Sequence, residues 1–311
     1  MNTDLTIQQP ISKSRFLATV PQETVWLSNF ISPHTKKTYL QAVRDFIGFN
    51  EIESAEKLKE VDQAHVIAWR DSLIEQGASE RTVNARISAI SSLFKHLCEK
   101  QIAKRNPTIG VRRPKVETKE VKSPIITPNQ VRQILNATSP DTLKGLRDSA
   151  ILHILFYTGC RISEVGKLKV KDYYEDGGYF VLHFTIKGGK KNKIAIHQEL
   201  QIVLERYFSA SGHGSESNSP LILAVKRAGL RRHLKKNQLA NIFNKYAQQV
   251  GLPRGVYPHS ARATFITQAL ENGAKIEAVQ RSVGHSKINT TQMYDKRLVR
   301  HRESASFAVR W

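Results

Sequence analysis

Between Val111 and Pro124 the chain reads VRRPKVETKEVKSP, with proline near each end, alternating charge and almost no large apolar residue. A stretch of this kind has nothing to bury and reads as an extended linker. Whatever the chain folds into is therefore built as two bodies, one on either side. The 311 residues suffice for that, since each half is long enough to bury its own core. The expected division is a flexible N-terminus over 1–20, a first domain over 21–110, the linker over 111–124, and a second domain with a C-terminal tail over 125–311.

Apolar residues before the linker recur at helical spacing. Val25, Leu27, Phe30 and Ile31 form one set; Tyr39, Leu40, Val43, Phe46 and Ile47 a second; Val66, Trp69, Leu73 and Ile74 a third; and Val83, Ile87, Ile90, Leu93, Phe94 and Leu97 a fourth. The spacing predicts a four-helix unit, with cap and turn residues in SPHT and GASERT ahead of their helices and RNPTIG ending the last one. After the linker, TPNQVRQIL opens a helix with Thr127 as cap and Pro128 in its first turn, and LRDSAILHILFYTG is an apolar helix stopped by Gly159. Residues 177–197, GGYFVLHFTIKGGKKNKIAIH, are the one convincing β segment, two runs joined across a Gly-Gly turn. Helices are expected again over 200–207, 239–250, 261–270 and 276–283. No internal repeat is present, and SASGHGSESNSP is the one Gly/Ser-rich loop. The expected class is mainly α with a small β-sheet.

Lys and Arg number 48 against 27 Asp and Glu, a formal charge of +21, which is far beyond what solubility asks. The basic residues are interleaved with amphipathic patterns, so a folded surface that binds nucleic acid is expected. No apolar run approaches the roughly 20 residues of a membrane span, and the N-terminal residues lack the basic start and apolar run of a secretory signal. A reducing cytoplasm is the expected setting, in keeping with two distant cysteines, Cys98 and Cys160. Neither these nor the histidines are spaced as a metal site, and no cofactor is expected.

In YTGCRISEVGKL, Arg161 stands where a helix begins, so a guanidinium and backbone N–H groups can converge on one anion; a plain surface arginine fits equally. Lys187 follows the first run of the hairpin, with Lys190, Lys191 and Lys193 close behind. Lysines there neutralise phosphates, and one held rigidly can also donate a proton to a leaving oxygen. In YPHSARATFITQAL, His259 and Arg262 share one helical face, a phosphate-binding pair or a capping histidine beside a charge. In VGHSKINTTQMYD, Gly284 ends a helix, His285 follows and Tyr294 comes nine residues later.

The order Arg161, Lys187, His259, Arg262, His285, Tyr294 resembles the signature of the tyrosine recombinase (phage integrase) family: Arg, hairpin Lys, His-x-x-Arg, His and a nucleophilic Tyr. The words TGCRISEV, IKGGK, PHSARATF, VQRSVGHS and NTTQMY stand where the family has close equivalents, from about Thr127 to Tyr294. More loosely, SPHTKKTYLQAVRDFIGF and SERTVNARISAISSLFKHL look like its helical, SAM-like core-binding domain. One departure is Ala263, where many members carry a second His.

The resemblance implies a helical core-binding domain joined to a mixed α/β catalytic domain. It also implies a covalent 3′-phosphotyrosine formed by Tyr294, with Arg161 and Arg262 cradling the phosphate and Lys187 the acid for the leaving 5′-oxygen. His259 would assist proton transfer and His285 would hydrogen-bond the phosphate, with neither ATP nor metal. The expected partner is double-stranded DNA carrying specific recombination sites, bound by a homotetramer on paired sites that is a monomer or weak oligomer when free. Expected DNA contacts are Lys36, Lys37, Arg81 and Arg86 before the linker, and Lys190, Lys191, Lys193, Arg231, Arg232, Lys235 and Lys236 after it. With no room before Pro21 for an arm-binding domain, simple core-site recombination is expected in the cytoplasm, at the nucleoid. Integration or excision of a mobile element is the first reading and chromosome or plasmid dimer resolution the second. A type IB topoisomerase-like enzyme and a non-cleaving DNA-binding protein are the rivals. The tail 304–311 is expected to dock on a neighbouring protomer.

Overall fold

The computed structural model describes residues 22–116, 123–186, 189–225 and 232–295. The chain divides into two compact units, 1–117 and 118–311. The expected flexible N-terminus and the C-terminal tail lie outside the described residues.

In the first unit, five helices are described: α1 Gln22–Ser28, α2 Pro33–Phe49, α3 Ala55–Lys59, α4 Gln63–Glu75 and α5 Glu80–Glu99. Their starts follow from capping chemistry. Ser32, Ser54 and Ser79 accept from backbone N–H groups three residues on, in the first turns of their helices, and Asp62 forms a capping box with His65. Four of the five are the segments expected from periodicity. The fifth, α3, is five residues long with only Leu58 buried among its described side chains, too short for periodicity to register. Val83, Ile87, Ile90, Leu93, Phe94 and Leu97 line one face of α5 and pack against Trp26, Phe46 and Trp69. Phe46 and Trp69 meet edge to face at 5.1 Å.

The first residues of the expected linker belong to this unit. Val111 is buried, Asn84 Nδ2 donates to Pro114 O at 2.9 Å, Arg113 Nη1 donates to Ser88 Oγ at 2.8 Å, and Arg70 Nη1 donates to Arg112 O at 2.9 Å. Residues 111–116 are thus strapped to α4 and α5 by the Arg112 and Pro114 carbonyls and the Arg113 guanidinium. Side-chain composition conceals that kind of attachment.

The second unit contains α6 Pro128–Asn136, α7 Leu143–Thr158, α8 Ile162–Val165, strands β1 Tyr173–Asp176, β2 Tyr179–Thr185 and β3 Lys191–Ala195, then α9 Gln198–Ser211, α10 Lys236–Gln249, α11 Pro258–Glu271, α12 Ile276–Val283 and α13 Ile288–Gln292. Thr127 and Gln130 close a capping box on α6 with Pro128 at its start. Gly159 ends α7 in the left-handed region at φ 59°, a conformation glycine adopts without strain. α7 is buried along nearly its whole length and is the hub of the unit. Its buried Arg147–Asp148 pair receives the Tyr246 hydroxyl on Asp148 at 3.1 Å.

The three strands form an antiparallel sheet in the order β1-β2-β3, with Tyr173 opposite Leu182 and Leu182 opposite Ile194. Leu182, Phe184 and Ile194 face the core. Strand β1, which periodicity did not predict, carries no buried residue and exists through its pairing with β2. A smaller apolar cluster of Ala263, Ile266, Leu270, Val279, Val283 and Tyr294 joins α11, α12 and the segment after α13. No helix among the described residues is long and apolar enough to cross a membrane.

Candidate functional site

Two glycine turns deliver the site. Gly159 reverses the chain out of α7 so that Arg161 becomes the N-cap of α8, and Gly284, at φ 65°, reverses it out of α12 so that His285 follows. Between them runs α11, carrying His259 on its first turn and Arg262 one turn further on.

Arg262 is 1% exposed. Its Nη1 donates to Gly159 O at 2.8 Å and its Nη2 to Val283 O at 2.7 Å, so one guanidinium clips together the turns that precede Arg161 and His285. Its Nε is buried with no hydrogen-bond partner among the described residues. Burial first, and then Arg161, bring its pKa down to about 10. A buried, incompletely bonded guanidinium is a seat for an anion.

Arg161 is held by Glu164, a residue that motif reading passed over. Glu164 Oε2 accepts from the Arg161 backbone N at 2.7 Å and Oε1 from its Nη1 at 2.9 Å. The carboxylate is 6% exposed and the arginine side chain 36%, so the charge on the inner side fixes the guanidinium while its outer side stays open.

Both histidines have lowered pKa values. For His259, which is exposed at the start of α11, desolvation and then Arg262 and Arg161 lower the pKa. For His285, desolvation followed by Arg262, Arg161 and His259 takes it to about 3. His285 Nδ1 lies 3.0 Å from Thr291 Oγ1, and its backbone is gripped twice by Gln280: its N–H donates to Gln280 O at 3.1 Å and its O accepts from Gln280 Nε2 at 3.0 Å. The Tyr294 ring stacks on His285 with centroids 6.1 Å apart. Tyr294 is 5% exposed. Burial raises its pKa, and Arg262 and Arg161 oppose that rise.

Arg161 and His285 line a cavity of about 1050 Å³ together with Lys190, Asn192 and Lys193 of the hairpin and Arg281 of α12. Asn192 Nδ2 donates to Ser282 O at 2.8 Å, pinning β3 beside the His285 turn. A smaller cavity of about 300 Å³, also lined by Arg161, is bordered by His259, Cys160, Tyr257 and Lys236. Arg161, His259, Arg262, His285 and Tyr294 are thereby brought together. Lys187 and Arg231 lie outside the described residues. Ala263 is fully buried in the smaller apolar cluster, so at this position the chain has a packing residue. Among the described residues no group of three or more His, Cys, Asp or Glu is placed to hold a metal ion.

Of the other basic residues, Lys190, Lys191, Lys193, Arg232, Lys235 and Lys236 are exposed. Lys191 Nζ donates to Thr185 Oγ1 at 2.9 Å, and Lys193 pairs with Asp176 across the sheet. Lys235 caps α10 and Lys236 begins it. In the first unit, Lys37 and Arg81 are exposed and Lys36 half-buried, while Arg86 on α5 pairs with Asp45 on α2 at 3.1 Å.

Such a set can bind a phosphodiester, stabilise added negative charge on it with two guanidiniums, and present a phenol to its phosphorus. The chain as a whole is similar to known proteins. A family model described as "Phage integrase family" matches residues 124–301, and one described as "Phage integrase, N-terminal SAM-like domain" matches residues 23–104. Tyrosine recombinase XerD of Neisseria meningitidis serogroup B is 30% identical over 279 residues, 88% of this chain and 90% of that protein. Tyrosine recombinase XerC of Pelobacter propionicus is 28% identical over 267 residues, 85% of each chain. Among solved structures, a lambda integrase tetramer bound to a Holliday junction superposes with a TM-score of 0.70 at 16% identity, covering 91% of this chain and 77% of that one. XerH bound to a palindromic difH substrate, a post-cleavage complex, gives 0.69 at 18% identity, covering 88% and 80%. These likenesses establish the shared fold.

Proposed function

Because the chain belongs to the phage integrase family of tyrosine recombinases, we propose that it is a site-specific DNA recombinase which cleaves and rejoins duplex DNA through a covalent 3′-phosphotyrosine on Tyr294. The observation that carries this reading is the gathering of Arg161, Arg262, His259 and His285 around a phenol at a basic cavity. In the proposed step the Tyr294 oxygen attacks the scissile phosphorus, the 5′-oxygen leaves, and the phenolic proton passes by way of His259. Arg161 and Arg262 hold the two non-bridging oxygens and are most needed when the phosphorus is pentacoordinate. A bound phosphate would also offset the guanidinium charges that hold His285 neutral, strengthening a hydrogen bond from its ring. Lys187, on the resemblance, protonates the leaving oxygen. Attack by a partner 5′-hydroxyl on the phosphotyrosine reverses the chemistry on a new strand.

In the proposed organisation, residues 21–110 form a core-binding domain and residues 125–311 the catalytic domain. The protein assembles as a homotetramer on two paired sites, as the lambda integrase structure does on its junction. Duplex contacts fall to Lys36, Lys37 and Arg81 in the first unit and to Lys190, Arg232, Lys235 and Lys236 in the second, none of which pairs with an acid among the described residues. Integration or excision of a mobile element is one role. Resolution of chromosome or plasmid dimers is the other, and similarity to XerC and XerD proteins over most of the chain favours it.

The test is a covalent adduct. Mixed with a library of nicked duplexes of randomised core sequence, the wild-type chain is expected to trap DNA as a protein-linked species, whereas Tyr294→Phe retains DNA binding and traps none. An adduct in the Phe variant would reject Tyr294 as the nucleophile. Relaxation of supercoiled plasmid without strand exchange would favour the topoisomerase-like rival.

A further inference from the structure

Thr291 is fully buried, three residues before Tyr294 on α13, and its Oγ1 lies 3.0 Å from Nδ1 of His285. Among the described residues the hydroxyl has no other hydrogen-bond partner. The bond can be made in two ways. If Nδ1–H donates to Oγ1, the hydroxyl's own proton is left without an acceptor in a place that water does not reach, which buried polar groups avoid. If the hydroxyl donates to Nδ1, both groups are satisfied and the ring proton must sit on Nε2, because a neutral imidazole carries only one.

The imidazole is neutral for reasons independent of Thr291. The groups facing it are Arg161 at the head of α8, His259 and Arg262 on α11, and Tyr294 beyond α13, with Lys190, Lys193 and Arg281 around the cavity. All the permanently charged members of that set are cations. Neutrality alone leaves the tautomer open; the neighbour of the second nitrogen decides it.

We propose that Thr291 is a positioning residue for strand cleavage: its hydroxyl donates to Nδ1 of His285, fixes the Nε2–H tautomer, and so gives the cavity a hydrogen-bond donor for the phosphate. The inference rests on the reading of the cavity as the site of phosphoryl transfer. It also makes the donor conditional on the helix that ends at the nucleophile. Thr291 belongs to α13, and the Tyr294 N–H donates to the Thr291 carbonyl at 3.0 Å, so a shift of α13 that carries Tyr294 toward or away from DNA also makes or breaks the bond that orients His285. Nucleophile and donor are then correctly set together or not at all.

The experiment uses the full chain. Ring ¹⁵N–¹H correlation spectra of the DNA-free protein, with His285 identified by its loss in His285→Gln, report the tautomer directly. The wild type and Thr291→Ser are expected to show Nε2–H. Thr291→Val, which keeps the shape and loses the hydroxyl, is expected to redistribute the proton onto Nδ1 and to raise the pH at which the ring becomes charged, because a bond that favours the neutral form is gone. On the nicked-duplex library, Thr291→Val should form adduct about 10- to 100-fold more slowly with DNA binding unchanged, and Thr291→Ser should restore the rate. A wild-type ring protonated on Nδ1, or a Val variant with unaltered tautomer and rate, overturns the proposal. Equal losses in the Ser and Val variants also overturn it, since they mark a packing effect. A wild type with the Nε2–H tautomer but no adduct overturns the recombinase reading and leaves the hydrogen bond standing.

Discussion

Arg161 shows how much of a charged side chain's role is set by the residue behind it. A free arginine samples many rotamers, and ordering one costs entropy. Here one buried carboxylate grips both the backbone N–H and the guanidinium of Arg161. On the proposed mechanism, Glu164→Gln keeps an acceptor in place but removes the charge that orients the guanidinium. Adduct formation is expected to fall about 10-fold while DNA affinity changes less than two-fold, measured as trapped adduct against equilibrium binding at one salt concentration. Equal losses in both would reduce Arg161 to a phosphate clamp. In sequence, Arg161, His259, Arg262, His285 and Tyr294 could be singled out because, in order and spacing, they resemble the signature of the tyrosine recombinase family; taken one by one, each also fits an ordinary structural role. Glu164 could not be singled out, because a glutamate three residues after a helix start is an ordinary partner in a capping box and only its burial marks it as something more. Thr291 was equally silent, a polar residue among polar neighbours until the fold placed it against an imidazole.

At the scale of elements, the site depends on chain reversals more than on helices. Gly159 adopts a left-handed conformation, and a Cβ there would fall inside van der Waals contact with the Phe265 ring on α11. Gly159→Ala therefore combines roughly 1 kcal/mol of backbone strain with overpacking of about 1–3 kcal/mol. The expected result is a melting temperature lower by at least about 5 °C, partly restored when Phe265→Ala is added; an unchanged melting temperature would refute the account of the turn. The ends of α6, α7 and α12 were legible because Thr127, Gly159 and Gly284 act through local chemistry. The short elements were not. α3, α13 and β1 have four or five residues each, less than a full repeat of any apolar pattern, and β1 is held by its neighbour in the sheet. The strap over 111–116 was hidden for a related reason: two of its attachments are made through backbone carbonyls, which composition does not show.

For the whole molecule, the formal charge of +21 is a property that composition alone predicts correctly and that placement refines. Some basic residues are already engaged, Arg86 with Asp45 and Lys193 with Asp176, while Lys190 and Lys236 line the two cavities that Arg161 also lines. Duplex binding should accordingly weaken by about 10³-fold or more between roughly 50 and 200 mM salt, with a linear log–log dependence, as counterions are released from several phosphates at once. A shallow slope would mean that few of these cations meet the backbone. The division into two units falls within the stretch whose composition reads as a linker, although its first residues are held by the first unit.

Arg262 joins a carbonyl 103 positions earlier in the chain to one 21 positions later. The first of these closes a long loop, whose entropic cost must be offset by the fold that holds its ends together. The two turns that present Arg161 and His285 therefore stay unlinked until synthesis has passed Val283, and Tyr294 is added later still. A copy still on the ribosome has its DNA-attracting charge but no competent centre. On the proposed function, the centre is therefore complete only once the segment that carries Tyr294 has joined the fold.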